Sequence, residues 1–274
     1  MTEIDEELSR KEIKIPRRPI SALLNLFEKM NISGPLFHPF EEDLDFPVTE
    51  TNASDHVHNW YSDSYGERLN IDVSPASFPV YLKGSCYEVK LPLPIVDFLI
   101  VSSKHKIGNE KVINCVDFVQ KMTNKVRANL TENEEATIQV MSITCLGVAN
   151  EFKKHKTELL SSAKDDSLIS CELLCGYNTN PSLSSWHSLQ MAEKCIKEYI
   201  KRKNVKFSKI HDINKLRDEA IAVGYKPDSK INWDVFDFNA SVRYSPDSIK
   251  MNFAVRINHE AWRVAFNSLK QIKD

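Results

Sequence analysis

Between about residues 56 and 101, the apolar residues follow the patterns of β-strands. The runs "FPVYL" and "CYEVKL" lie on either side of Lys83-Gly84, a pair that is typical of a tight turn, and together they predict a hairpin. The next run, "IVDFLIV", is apolar apart from one aspartate and predicts a buried strand. This part of the chain is therefore predicted to form a small sheet.

Helical and β patterns alternate on both sides of this sheet. A helix is predicted from Pro19, and another carries apolar residues at helical spacing from Val112 onwards. The stretch "ATIQVMSITCLGV" is rich in β-branched residues and predicts a further buried strand. A helix is the competing interpretation, because Thr131 and Glu134 have the spacing of a capping box. Residues 19–153 are thus predicted to form one small mixed α/β domain.

From about residue 160 the pattern is helical. Four amphipathic helices are predicted, over residues 163–176, from Pro181 to Lys203, from Asp212 to Gly224, and from Pro246 onwards. Asn180 and Asp212 are expected to cap two of them. Glu193 and Glu198 are expected to form surface ion pairs with Lys197 and Arg202, each four residues further on. Short connections predict a four-helix bundle over residues 160–274. The expected fold class is α+β, a small mixed domain followed by an all-α bundle.

Composition indicates a soluble globular protein. The chain has 274 residues, of which 42% are hydrophobic and 27% charged, and no apolar run reaches the roughly 20 residues that span a bilayer. Residues 1–18 are charged and lack the apolar core of a signal peptide, so they are expected to form a mobile charged arm. The six cysteines include no C-x-x-C pair and are expected to be free thiols. These features indicate a cytoplasmic protein without a membrane segment.

Two motifs in the helical part carry a family resemblance. In "SSWHSLQMAEKCIKEYIKRKNVKFSKIHDINKL" a helix carries A-E-K-x-x-K, and His211-Asp212 opens the next helix. "ASVRYSPD" adds an arginine-tyrosine run before the last helix. Over about residues 163–270 the chain resembles the HEPN family. The resemblance implies a homodimer formed through the bundle, and it makes a partner protein a further expectation.

The nuclease branch of that family places an arginine a few residues before a histidine on the last helix. After Arg243 no histidine falls at the corresponding positions, and the nearest pair is Arg256 and His259, with two residues between them. By this resemblance Arg256 and His259 would be the catalytic residues of RNA cleavage at a dimer groove, with a spacing that departs from the family's pattern.

The hairpin region carries a second resemblance. Gly84-Ser85 follows one predicted strand, and Asp97 lies on a later strand. This order is similar to that of nucleotidyltransferase domains of the polymerase-β type, in which a Gly-Ser pair is followed by Asp-x-Asp. The resemblance implies a nucleotide as ligand, Mg²⁺ as cofactor, and Asp97 as a metal ligand and catalytic residue.

The pair of carboxylates is incomplete in this chain. Side chains two residues apart on a strand point to the same side, and the residues at that distance from Asp97 are Ile95 and Leu99. Two Mg²⁺ ions need several hard oxygen ligands, which a single carboxylate does not supply. The domain is therefore expected to be degenerate and to hold a nucleotide without transferring it.

Residues around the predicted turn are candidates for binding that nucleotide. Backbone N–H groups near Gly84 and the hydroxyl of Ser85 would hold phosphate oxygens, with Lys83 or Lys90 supplying positive charge. The alternative interpretation is that Lys83-Gly84 is only a hairpin turn and Asp97 a surface residue.

Three other groups are candidate ligand sites. Arg243 and Tyr244 precede a predicted helix, whose N-terminus attracts anions, so both are candidate nucleotide-binding residues. His56 and His58 would share one side of a strand and form a candidate metal pair. The run from Lys197 to Lys209 is the most basic in a chain whose net charge is -2, and it is the candidate patch for nucleic acid.

The leading expectation is a nucleotide- or RNA-binding HEPN protein with an inactive nucleotidyltransferase-like domain, acting in defence, toxin–antitoxin or stress response. Two enzyme hypotheses stand beside it. One is Mg²⁺-dependent nucleotidyl transfer through Asp97 and a second carboxylate. The other is RNA cleavage by Arg256 and His259.

Overall fold

The computed structural model describes residues 1–13, 15, 18–30, 53–66, 76–91, 99–105, 107, 112–208, 211–245 and 248–272. The protein is mixed α+β and mostly helical, with a small β region followed by a helical region, which confirms the expected class at this level. Two compact units are present, Met1–Val73 and Ser74–Asp274. This division lies far from the predicted boundary between residues 153 and 160.

The described residues of the first unit form helices α1 (Thr2–Arg10), α2 (Arg18–Met30) and α3 (Ala53–Tyr65). The prediction of a mobile arm is wrong for residues 2–10. They form a helix because Ile4 and Leu8, one turn apart, are buried in an apolar cluster with Leu23 and Phe27. Charged residues occupy most of the rest of α1, which explains why its sequence resembles that of a charged arm although one face is apolar.

Helix α3 contradicts the β pattern predicted from residue 56. Ala53, Val57 and Tyr61 recur every four residues and are buried, which is close to the period of a helix. His56 and His58 therefore project in different directions around the helix instead of sharing one side of a strand. In the described part of the chain, no group of three or more His, Cys, Asp or Glu side chains is arranged to hold a metal ion.

The second unit begins with the predicted hairpin. Strands β1 (Ala76–Leu82) and β2 (Ser85–Leu91) pair in antiparallel register, and Lys83 and Gly84 form the two-residue turn. Both turn residues have positive φ, 49° and 86°, as a type I′ turn requires. The hairpin of "FPVYL" and "CYEVKL" is thus confirmed.

A short parallel pair follows, formed by β3 (Leu99–Val101) and β4 (Val112–Asn114). Residues 92–98, which include Asp97, lie outside the described residues. The helix predicted from Val112 is wrong, because β4 passes into a single 3-10 turn at Cys115–Phe118. The buried side chain of Asn114 causes this change: its oxygen accepts from the backbone N–H of Ser103 at 2.9 Å and of Val116 at 3.3 Å.

The third predicted strand is also wrong, and the competing interpretation is confirmed. "ATIQVMSITCLGV" lies within helix α5 (Glu132–Lys154), which the short helix α4 (Asn124–Ala128) precedes. Thr131 Oγ1 accepts from the backbone N–H of Glu134, and the Glu134 carboxylate accepts from that of Thr131 at 2.8 Å. This capping box starts the helix, and Ile138, Met141 and Cys145 then lie on its buried face.

The remaining helices are α6 (Glu158–Cys175), α7 (Pro181–Arg202), α8 (Ile213–Ala222) and α9 (Met251–Lys270). The predicted caps at Asn180 and Asp212 are confirmed. The last helix begins at Met251, later than predicted. All six cysteines are free thiols, as expected. No helix among the described residues is long and apolar enough to cross a bilayer.

One apolar core joins the hairpin to these helices. Phe78 and Val80 of β1 belong to the same buried cluster as Ile138 of α5, Leu189 of α7 and Ile257 of α9. The hairpin therefore packs directly against the helical part and does not form a separate domain of its own.

A group of buried hydrogen bonds lies where α6, α7 and α9 meet. Ser170 Oγ is 2.9 Å from Ser184 Oγ and 2.7 Å from Ser188 Oγ. Asn258 donates from Nδ2 to Ser170 Oγ at 2.9 Å. All four side chains are fully buried. Serine side chains are small enough to let the three helices approach closely, and each of the three hydroxyls remains paired.

The capping box predicts the effect of one substitution on stability. Thr131→Ala removes the acceptor for the Glu134 N–H and is expected to lower the free energy of unfolding by about 1 kcal/mol. Urea unfolding followed by circular dichroism measures this value. Thr131→Ser keeps the hydroxyl and serves as the control. Equal stability of the two variants would show that the cap does not contribute.

Candidate functional site

A groove lies between the hairpin, the beginning of α5 and the first half of α9. Its volume is about 340 Å³. We call it the hairpin groove, and it is lined by Val80, Tyr81, Leu82, Asn133, Glu134, Thr137, Asn252, Val255, Arg256, His259, Glu260 and Arg263. Three segments that are far apart in sequence therefore form its walls.

Two polar contacts fasten these walls together. His259 Nε2 of α9 lies 2.7 Å from the carbonyl oxygen of Pro79 in β1, and its ring packs edge-on against Phe78. Lys83 in the turn forms an ion pair with Glu134 of α5 at 2.9 Å. These contacts bring Lys83 close to the groove that Arg256 and His259 line, although the sequence placed them in different domains.

Arg256 carries the free positive charge of the hairpin groove. It is exposed, and no carboxylate in the described ranges pairs with it. The other cations are neutralised locally, because Arg263 pairs with Glu260 at 2.8 Å and Lys83 with Glu134. An unpaired guanidinium in a groove is a binding group for phosphate or carboxylate.

Tyr81 gives the hairpin groove an aromatic wall. It is the one exposed residue of β1, with 39% of its surface accessible, while its neighbours Val80 and Leu82 are buried. Asn133, Thr137 and Asn252 add uncharged hydrogen-bonding groups to the lining. A half-exposed aromatic ring near a free cation offers stacking and charge to one ligand.

His259 is uncharged at neutral pH. Burial lowers its pKa to about 4, the hydrogen bond to Pro79 opposing this shift in part. A carbonyl oxygen can only accept, so Nε2 carries the proton and donates it, which leaves Nδ1 as the unprotonated nitrogen. A neutral histidine with this pKa is a poor general acid and a weak general base at pH 7.

The other candidates from the hairpin lie outside the groove lining. Gly84 and Ser85 are exposed at the turn, where Gly84 is needed for its positive φ. Lys90 is partly buried in β2. Asp97, the candidate metal ligand, is not among the described residues. Tyr81 and Arg263, which the sequence reasoning missed, are part of the lining.

Arg243 and Tyr244 belong to a second polar cluster. The Arg243 guanidinium lies 5.0 Å from the ring centre of Trp186 and 4.7 Å from that of Tyr244. His211 packs edge-on against Trp186. The sequence motifs of α7, of the start of α8 and of the segment before α9 are thus brought together, and a cavity of about 510 Å³ adjoins His211.

Glu193 is the buried anchor of this cluster. Its Oε2 lies 3.2 Å from His211 Nδ1 and 3.3 Å from Lys197 Nζ, and its Oε1 has no hydrogen-bond partner in the described part of the chain. Burial raises the pKa of Glu193, and the neighbouring Lys197 and His211 oppose this shift. Both predicted ion pairs are confirmed, Glu193 with Lys197 and Glu198 with Arg202 at 2.9 Å, but the prediction of a surface position is wrong for the two glutamates, which are buried.

The chain was compared with protein-family models, with curated proteins and with solved structures, and none of them matches it.

The low pKa of His259 predicts a pH dependence of stability. The unfolded chain binds a proton at His259 near pH 6.5, whereas the folded chain does so only near pH 4. Protons therefore favour the unfolded state between these values, and stability should fall as the pH decreases from about 6.5 to about 4, by up to about 3 kcal/mol.

His259→Gln is the control, because it keeps a donor for Pro79 and does not titrate. Urea unfolding between pH 4.5 and 7 should give a smaller loss of stability in His259→Gln than in the wild type. Identical pH profiles would contradict the neutral state of His259 in the folded chain.

Proposed function

We propose that the protein binds a nucleotide or RNA in the hairpin groove and that this groove does not catalyse a reaction. The observation that carries the proposal is the exposed, unpaired Arg256 in the same groove as the half-exposed ring of Tyr81. The guanidinium supplies the charge for a phosphate, and the tyrosine supplies a face for a base.

The hairpin groove suits this ligand better than a purely apolar or a purely ionic one. Val80, Leu82 and Val255 form an apolar floor, and amides and a threonine hydroxyl lie along the sides. A base requires apolar contact on its faces and hydrogen bonds at its edges, and the groove offers both. Stacking of one base on an aromatic ring contributes about 1–3 kcal/mol.

Catalysis is left out of the proposal because of the state of His259. RNA cleavage by Arg256 and His259 would need a histidine that exchanges protons near neutral pH. His259 is neutral, and its Nε2 is engaged with Pro79. Nucleotidyl transfer would depend on Asp97 with Mg²⁺, and it stays a prediction. The other expectations that stay predictions are the HEPN and nucleotidyltransferase-like folds, the homodimer, the partner protein, the role in defence and the cytoplasmic location.

The proposal is tested by calorimetry on the 274-residue chain with ATP and GTP, in Mg²⁺ and in EDTA. Because the charge comes from Arg256, binding should persist in EDTA. Arg256→Gln should weaken it about tenfold, since a charge-assisted hydrogen bond contributes about 1.5–3 kcal/mol. Tyr81→Leu removes the stacking face and should weaken binding at least about fivefold.

The matched controls separate the groove from the rest of the surface. Tyr81→Phe keeps the ring and should bind like the wild type. Tyr177→Leu removes a fully exposed tyrosine that does not line the groove, and it should have no effect. Absence of binding by wild type, or equal losses of affinity in Tyr81→Leu and Tyr177→Leu, would overturn the proposal.

A further inference from the structure

The basic residues of α9 continue beyond the hairpin groove. Arg256, Arg263 and Lys270 follow one another at intervals of seven residues, so they lie on one face of the helix. At 1.5 Å per residue, successive positions are about 10.5 Å apart, and the whole line is about 21 Å long. The phosphates of one nucleotide cannot contact both ends of such a line.

A second cavity lies further along the contact between α5 and α9. The early turns of α5 line the hairpin groove together with the first half of α9, and the last turns of both helices line this cavity, so the two helices run in parallel. Its volume is about 380 Å³, and its lining contains Lys153 and Lys270 together with Glu151, which pairs with Lys154. Gly147 lets the helices approach, because a Cβ there would lie 2.4 Å from the ring of Phe266.

A third cavity lies on the other side of Lys270. Its volume is about 380 Å³, and its lining contains Lys203, Lys226 and Lys270 but, among the described residues, no carboxylate. Within the described ranges, no acidic side chain pairs with any of these three lysines. Lys203 lies over the ring of Tyr199, and Lys270 over that of Phe266.

Favourable interaction with helix dipoles explains only part of this arrangement. Lys203 follows the last turn of α7, and Lys270 ends α9, so each lies near carbonyl groups that favour a cation. That effect acts on each helix separately. It does not require three unpaired lysines around one cavity in a chain whose net charge is -2, where their mutual repulsion is unfavourable.

We infer that the ligand of the proposed function is a single-stranded polynucleotide that runs from Tyr81 along α9 to the cavity of Lys203, Lys226 and Lys270. The inference rests on the proposed function, because it takes the hairpin groove as one end of the path. Phosphates would contact Arg256 and Lys270 at the two ends of this line, and Arg263, which pairs with Glu260, lies between them. A single strand is required because a base must leave its neighbours to stack on Tyr81, which a duplex does not allow without unpairing.

Fluorescence anisotropy with labelled oligouridylates tests this inference. A strand of about 12 nucleotides, which is long enough to cover the path, should bind more tightly than one of about 3 nucleotides. The double variant Lys203→Gln/Lys270→Gln should weaken binding of the long strand about tenfold. It should also reduce the slope of log K against log salt by about 1.4, because each phosphate that a lysine neutralises contributes about 0.7 to that slope for a single strand.

The control is Lys164→Gln/Lys215→Gln, which removes the same charge from exposed lysines that line none of the three cavities. It should leave the affinity nearly unchanged. Binding of ATP should be the same in both double variants and in the wild type, because ATP occupies only the hairpin groove.

The two proposals fail in different ways. If ATP binds with the expected dependence on Arg256 and Tyr81, but the long strand binds no better than the short one or is equally affected by both double variants, the inference is overturned and the proposed function stands. If neither ATP nor any strand binds, the proposed function itself is overturned. Equal affinity for a duplex of the same length would overturn the choice of a single strand.

Discussion

The second unit depends on the buried hydrogen bonds among Ser170, Ser184, Ser188 and Asn258. A buried hydroxyl or N–H group without a partner is costly, so the three hydroxyls and the Asn258 Nδ2 group restrict how α6, α7 and α9 are rotated about their axes, although Oδ1 of Asn258 has no partner among the described residues. Asn258 faces inward, and the next residue, His259, therefore reaches the hairpin. The same rotation leaves Arg256 at the surface, beside the hairpin. A buried network thus determines which residues of α9 lie at the surface.

The fold could be predicted from the sequence where local signals agree with one another. Asn180 and Asp212 mark the starts of α7 and α8, because each side chain accepts a hydrogen bond from the first turn of its own helix. Lys83-Gly84 marks the turn of the hairpin, because both residues adopt positive φ there. The β-branched residues of "ATIQVMSITCLGV" favour a strand, but the capping box at Thr131 starts a helix that continues through them. There the burial of one helical face outweighs the intrinsic preference of the residues.

The candidate site was less accessible to sequence reasoning. Arg256 and His259 were identified only through a family resemblance, and the part played by Tyr81 depends on a contact between Pro79 and His259, 180 residues apart. The spacing of apolar residues along the chain does not reveal a contact between residues so far apart in the sequence. The seven-residue spacing of Arg256, Arg263 and Lys270, by contrast, is visible in the sequence. Its significance follows only from the structure, in which α5 and the lysines that come after α7 lie beside this line of basic residues.

The walls of the hairpin groove come from β1, α5 and α9. Binding of a ligand in the groove is therefore coupled to folding of the chain. In the unfolded chain these segments are separate, so a ligand that needs all three has no site there. By mass action, a ligand present at about 100 times its dissociation constant would add about 2.7 kcal/mol to the free energy of unfolding. The amount of intact protein in a cell would then rise and fall with the supply of its own ligand, without any dedicated regulatory element.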